Sequence, residues 1–223
     1  MATEPQHTAL LLFVRDEREE AQLKPLASDQ RASAALFRRF NAHARQQARR
    51  TRLPLFIVKG AQQQGHSFGE RLANAIESVF ARGYERVISL GNDCLQLQPQ
   101  HILQAAQQLQ QHDLVLGPAA DGGVYLLGIA QSAYDRRAFL DLPWQTAGLA
   151  AALGDYASHG LLPDWQEDVD DWQDFRRQLG RIAGDLRKRL LAITAISKPA
   201  RLDIPFTLST LHLASVGLRA PPQ

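Results

Sequence analysis

The strongest constraint on this chain is an alternation. Short segments that are apolar at nearly every position alternate, over the first 111 residues, with longer segments that are apolar on one face only. Residues 8–14 (TALLLFV), 54–58 (PLFIV), 86–90 (RVISL), 113–117 (DLVLG) and 124–129 (VYLLGI) are the short segments. They lack the polar alternation of a strand with one wet face, so they read as strands buried on both sides. Helices are expected over 29–51, 67–82 and 99–111. Asp29 can cap the first, whose Ala32, Ala35, Leu36 and Phe40 share a face. Ser67 followed by Glu70 gives the second a capping-box spacing ahead of the stripe Leu72, Ile76, Val79 and Phe80. Pro99 opens the third. Strand and helix in turn imply an α/β fold: three α/β/α layers around a mostly parallel central sheet. In such folds ligands sit beyond the carboxyl ends of the strands.

Beyond residue 140 the alternation weakens. Helices are expected over 147–159 and 172–192, with a loop containing DVDDWQDF between them. The expected domain covers 1–190. Residues 191–223, where Pro, Ser and Thr mix with apolar residues, read as an extension packed on the core or as a partly ordered tail. A chain of 223 residues with 45% hydrophobic and 22% charged content can bury a sizeable core. Its apolar runs are far too short to span a bilayer, so no membrane partner is expected. The first residues lack the basic region of a secretory signal. The single cysteine excludes an intrachain disulfide and fits a reducing compartment, so a cytoplasmic location is expected.

A net charge of +2 is too small to argue for nucleic acid. The charge is unevenly spread, however. Between Arg31 and Gly69 there are eight basic residues and no acid, and a second cluster runs from Arg176 to Arg189. Aromatics suited to base stacking are nearly absent from both, so both are expected to be solvated helix faces and nucleic acid is not an expected partner.

Three acidic stations can carry chemistry. Asp93 follows a strand in LGNDC, Asp121 lies in GPAADGG, and Asp168, Asp170 and Asp171 lie in EDVDD. Hard divalent cations take oxygen ligands, and Mg²⁺ commonly takes one or two carboxylates together with substrate phosphates. Each station also has an ordinary structural reading. An Asp in a Gly-rich turn bonds its own backbone, and an acidic run often starts a helix. Gly122 and Gly123, directly before an apolar strand, allow close backbone approach or positive φ. Cys94 has no base near it in sequence and reads as a small buried hydrophobe. The seven histidines show no zinc spacing, and no GxxxxGK[ST], GxGxxG or GxSxG occurs.

The strings SFGERLANAIESVFARGYERVISLGNDCLQL, DLVLGPAADGGVYLLGI, LPWQT and DVDDWQDF, in that order and spacing, resemble the DUF2064 group of nucleotide-diphospho-sugar transferase-like proteins. The resemblance spans about residues 8–177 and implies the Rossmann-like glycosyltransferase A fold. It also implies a nucleotide-sugar or nucleotide ligand and an Mg²⁺ or Mn²⁺ ion held by Asp93 and Asp170. By the same resemblance, Phe13, Arg15 and Lys24 would meet the nucleotide, and Asp121, Gly122 and Gly123 would line the donor-sugar or acceptor side. One stretch departs from the pattern. Where such proteins carry a Pro- and Gly-containing phosphate loop, this chain has FVRDEREEAQLKPL, whose Asp16, Glu17, Glu19 and Glu20 oppose an incoming diphosphate. Three functions therefore remain open: metal-dependent glycosyl or nucleotidyl transfer, a degenerate member acting as a non-enzymatic binding scaffold, and polynucleotide binding through the arginine clusters. The transfer reading requires Asp93 and Asp170 to converge on one cleft.

Overall fold

The computed structural model describes residues 7–182 and 184–196. Six strands form one sheet: β1 (Thr8–Val14), β2 (Leu55–Lys59), β3 (Arg86–Leu90), β4 (Leu114–Pro118), β5 (Val124–Ala130) and β6 (His159–Leu161). Their spatial order is β2-β1-β3-β5-β4-β6. β1 pairs parallel with β2 and β3, and β4 pairs parallel with β6. β5 runs antiparallel to both of its neighbours. The cause is the link from β4, residues 119–123, because a parallel return needs a crossover of a dozen or more residues. The sheet is thus mostly parallel, and the α/β/α expectation holds.

β1, one strand in from the β2 edge, feeds both layers. Ala9, Leu11 and Phe13 join a core with Leu72, Ile76 and Val79 of α3 (Phe68–Phe80). Leu10, Leu12 and Val14 point the other way, toward α2 (Gln30–Arg50) and Ile102 of α4 (Pro99–Gln108). The expected caps form. Asp29 Oδ1 accepts from Ala32 N, and Ser67 Oγ accepts from Glu70 N. Phe37 is buried on α2, whereas Ala35, expected there, is only half-buried.

The structure departs from the sequence reading at four places. A short helix, α1 (Glu17–Leu23), occupies a stretch read as loop. Further on, α5 (Arg136–Leu140) precedes α6 (Leu149–Tyr156). α6 ends early because residues 159–161 pair with β4 as β6. The Arg-rich helix is two helices, α7 (Trp172–Arg181) and α8 (Gly184–Ile196), separated at Ile182, whose backbone is extended. Residue 190 lies inside α8, with Leu190 buried against α2 in a third core cluster. The extension from 197 to 223 lies outside the described residues. No helix among the described residues is long and apolar enough to cross a membrane.

Candidate functional site

A cleft of about 580 Å³ opens beyond the carboxyl ends of β1 and β3. Because β5 is antiparallel, its amino end, Gly123 and Val124, faces the same edge. Trp144, Gln145 and Thr146 of the α5–α6 connection form part of the rim.

At the acidic end, Lys24, the residue that caps α1, reaches two distant loops. Its Nζ lies 2.6 Å from Asp170 Oδ1 and 3.5 Å from Asp93 Oδ2, and it donates to Val169 O at 3.5 Å. Asp93 and Asp170, remote in sequence, therefore face one another across a single ammonium. A backbone bond from Val169 N to Asp93 O ties their loops together. Burial alone would lower the Lys24 pKa. Asp93 and the hydrogen bond to Asp170 hold it above the ordinary value, so the side chain stays charged.

Asp168 lies deeper. Burial, reinforced by the charges of Asp93 and Asp121, pushes its carboxyl up to about 8, and its buried Oδ1 has no hydrogen-bond partner. Glu20, on the turn of α1 before Lys24, is only 5% exposed and meets Arg15 Nη1 at 3.4 Å. Burial raises its pKa, while Lys24 and Arg15 act against the rise.

The acids of residues 16–20 do not act as a block. Asp16 caps α1 by accepting from Arg18 N, and lies 3.7 Å from Lys59. Glu17 accepts from Asn41 and from Lys59, and Asn41 accepts in turn from Asn92. This network fixes α1 over the β3 terminus. Glu19 is exposed. Only Glu20 faces the cleft, so the expected repulsion of a diphosphate by four acids reduces to one.

The other rim is locked by close approach. Gly122 has φ +88°, and a Cβ there would lie 2.2 Å from Ala147 O. Ala150 N donates to Gly122 O, and Asp121 Oδ1 accepts from Gly123 N. Trp144 sits on Gly69, donates from Nε1 to Phe139 O, and packs its ring 5.7 Å from that of Phe68. Gln145 holds φ +62°, unusual for a residue with a Cβ.

Of the residues singled out from sequence, Phe13, Arg15, Lys24, Asp93, Asp121, Gly123 and Asp170 all line this cleft. Gly122 does not; it supports the rim from behind. Cys94 is buried beneath Asp93, and burial raises its thiol pKa strongly, which leaves it a poor nucleophile. Sequence reasoning named Asp168 only as one member of its acidic station and Glu20 only as one of four acids, and it gave Trp144 no site role. The motif around Asp168 was visible, but nothing local marked which of its carboxylates turns inward.

The cleft is lined by five carboxyl side chains against two cationic ones. Among the described residues, no three His, Cys, Asp or Glu side chains are gathered as a ready-made ion site. The donor set nonetheless fits a hard cation. Asp93 and Asp170 converge, and Asp168 offers an unpartnered oxygen.

The profile of an uncharacterized protein family conserved in bacteria, DUF2064, matches residues 23–146, more than half of the chain. The chain belongs to the DUF2064 family. This DUF2064 protein is similar to a solved structure from Desulfovibrio desulfuricans G20, a candidate nucleotide-diphospho-sugar transferase. The TM-score is 0.74 and the identity 24%, over 85% of this chain and 96% of that one. The likeness bears out the α/β fold. Two mycobacterial structures are more distant. An Rv0371c homologue from Mycobacterium sp. strain JC1 has TM-score 0.49 and 11% identity, over 86% of this chain and 100% of that one. Rv0371c from Mycobacterium tuberculosis H37Rv, in complex with manganese, has TM-score 0.44 and 15% identity, over 76% and 97%. No curated protein matches the chain.

Proposed function

We propose that this DUF2064 protein is a divalent-cation-dependent transferase that takes a nucleotide-activated sugar and transfers its glycosyl or nucleotidyl group. The observation that carries the reading is the meeting of Asp93 and Asp170 on one cation at the carboxyl edge of the sheet. The cleft volume is in the range of small-molecule sites. Its surplus of carboxylates disfavours a bare diphosphate and favours a diphosphate that arrives with Mg²⁺ or Mn²⁺. Asp93 and Asp170 would hold the ion, which supplies charge neutralisation at the departing phosphate. The chain's own residues supply position. Lys24 and Arg15, at the mouth of β1, meet phosphate oxygens, and Phe13 lies beneath the nucleotide. Asp121, held by its bond from Gly123 N, faces the sugar or acceptor.

A second reading rests on Lys24. Its ammonium already neutralises Asp93 and Asp170, as expected of a scaffold that has given up the metal. Thermal melts with nucleoside diphosphates, with and without Mn²⁺, separate the two readings. A nucleotide-induced rise in Tm that needs Mn²⁺ and is lost in Asp93→Asn supports the transferase. No response across UDP, GDP, CDP, TDP and ADP rejects it in favour of the scaffold.

A further inference from the structure

The arginine-rich stretch that the cleft does not use forms an ordered surface. Every exposed position of α2 is Arg or Gln: Gln30, Arg31, Arg38, Arg39, Arg45, Gln46, Arg49 and Arg50. None of the six arginines has a carboxylate within salt-bridge distance among the described residues. By contrast, Arg136, Arg177, Arg181 and Arg189 are all paired. The helical period sorts them into two rows. Arg31, Arg38 and Arg45, seven residues apart, lie in one row with Arg49, while Arg39 and Arg50 lie in the other. Between the rows run the half-buried Ala35 and Ala42 and the exposed, uncharged Gln46. The result is an uncharged strip between two arginine rows, with a depression of about 260 Å³ around Ala42, Arg45, Gln46, Arg49 and Arg50.

We propose that this arginine-lined strip docks the phosphate backbone of a duplex nucleic acid. The length argues for a polymer. The 21 residues of α2 span about 31 Å, roughly nine base pairs, far beyond a nucleotide ligand. The composition argues for phosphodiesters, since guanidinium forks match phosphate oxygens in pairs. The profile argues against a bilayer. α2 buries its apolar face in the core and exposes no large apolar side chain to insert into lipid. The lack of aromatics disfavours stacking on single strands but is neutral toward duplex backbones, which are held by charge.

The test is fluorescence anisotropy of a labelled 20-base-pair duplex, in DNA and RNA forms, against the full chain from 50 to 200 mM salt. The expected result is binding whose log K falls with log salt at a slope of roughly −5, as for about six phosphate contacts. Arg38→Glu/Arg45→Glu/Arg49→Glu should weaken binding at least 100-fold. The corresponding triple Gln variant, which keeps polar side chains if the Glu variant fails to fold, should weaken it at least tenfold. A triple Lys variant, which keeps the charge but loses the forks, should bind more weakly than the parent and more tightly than the Gln variant. Four outcomes overturn the proposal: no duplex binding at 50 mM salt, no effect of the substitutions, equal competition by polyglutamate, or sedimentation with phosphatidylserine vesicles without duplex binding.

Discussion

Lys24 links the fold to the chemistry through one atom, because its Nζ lies within 3.5 Å of carboxylate oxygens of both Asp93 and Asp170. In Lys24→Met the two carboxylates would face each other uncompensated. Loss of a partly buried charged partner costs about 1–2 kcal/mol. The expected outcome is a lower urea midpoint in chelator and recovery of most of the loss in MnCl₂, because the divalent ion takes over the vacated contacts. A loss that Mn²⁺ does not restore would show that the two carboxylates do not share an ion. Asp168 responds to pH. Folded, its carboxyl ionises near 8; unfolded, it ionises near the ordinary aspartate value of about 4. Between about pH 4 and pH 8 the folded chain keeps a proton that the unfolded chain has lost, so this group's contribution to stability falls as pH rises. Asp168→Asn removes that slope. The variant should gain more stability over the parent at pH 8 than at pH 5, read from urea midpoints at each pH, and an equal gain at both would refute the assignment.

At the scale of elements, the cleft rim depends on two loops meeting at a glycine. Gly122→Ala places a Cβ against Ala147 O and forces a side chain onto a positive φ. The expected cost is roughly 2 kcal/mol or more in denaturant melts, together with a red-shifted Trp144 emission as the 144–147 turn moves away. Unchanged stability and emission would mean that the two loops are not coupled. β1 to β5 were legible in the sequence because each is apolar on both faces, and the caps at Asp29 and Ser67 because capping is local chemistry. The sequence reading drew no direction for β5, although the link of residues 119–123, too short for a crossover, held the clue to its antiparallel course. α1 left no periodic signal: of EREEAQL only Glu20 and Ala21 are buried, and a polar network holds the helix in place. Its run of strong helix formers was the available clue. β6 is three residues long with only Gly160 buried, too short for any period to register. The break between α7 and α8 falls at Ile182, whose backbone is extended, and the local clue to it was Gly184 just beyond, with φ +71°. Within the site, the converging loops were legible as motifs. The inward turn of Asp168 and the bridge from Lys24 were not, because both are set by contacts between segments remote in sequence, as much as 145 residues apart.

In the whole molecule, charge and core are arranged by the same sheet. The carboxylates gather at its ligand-facing edge, the unpaired arginines line α2, and β1 supplies side chains to both helical layers. Because each layer packs on the opposite face of shared strands, neither has an independent core. Ile76 of α3 and Ile102 of α4 are both fully buried, one in each layer. Truncating either to Ala removes buried methyl groups and leaves a void, at a cost of about 2–5 kcal/mol. The layers carry separate reporters. Trp144 packs against the α3 side, and Trp172 packs against the cluster formed by α1, α2, α7 and α8. In variants that retain only one of these tryptophans, each with its own parent as reference, Ile76→Ala should lower the urea midpoint seen by Trp172 as far as that seen by Trp144. Coincident shifts are the signature of one cooperative unit. If Trp144 reports the loss while the Trp172 midpoint stays in place, the α1–α2–α7–α8 side folds on its own, and the cleft between the two sides is then a junction of separable parts rather than the edge of a single core.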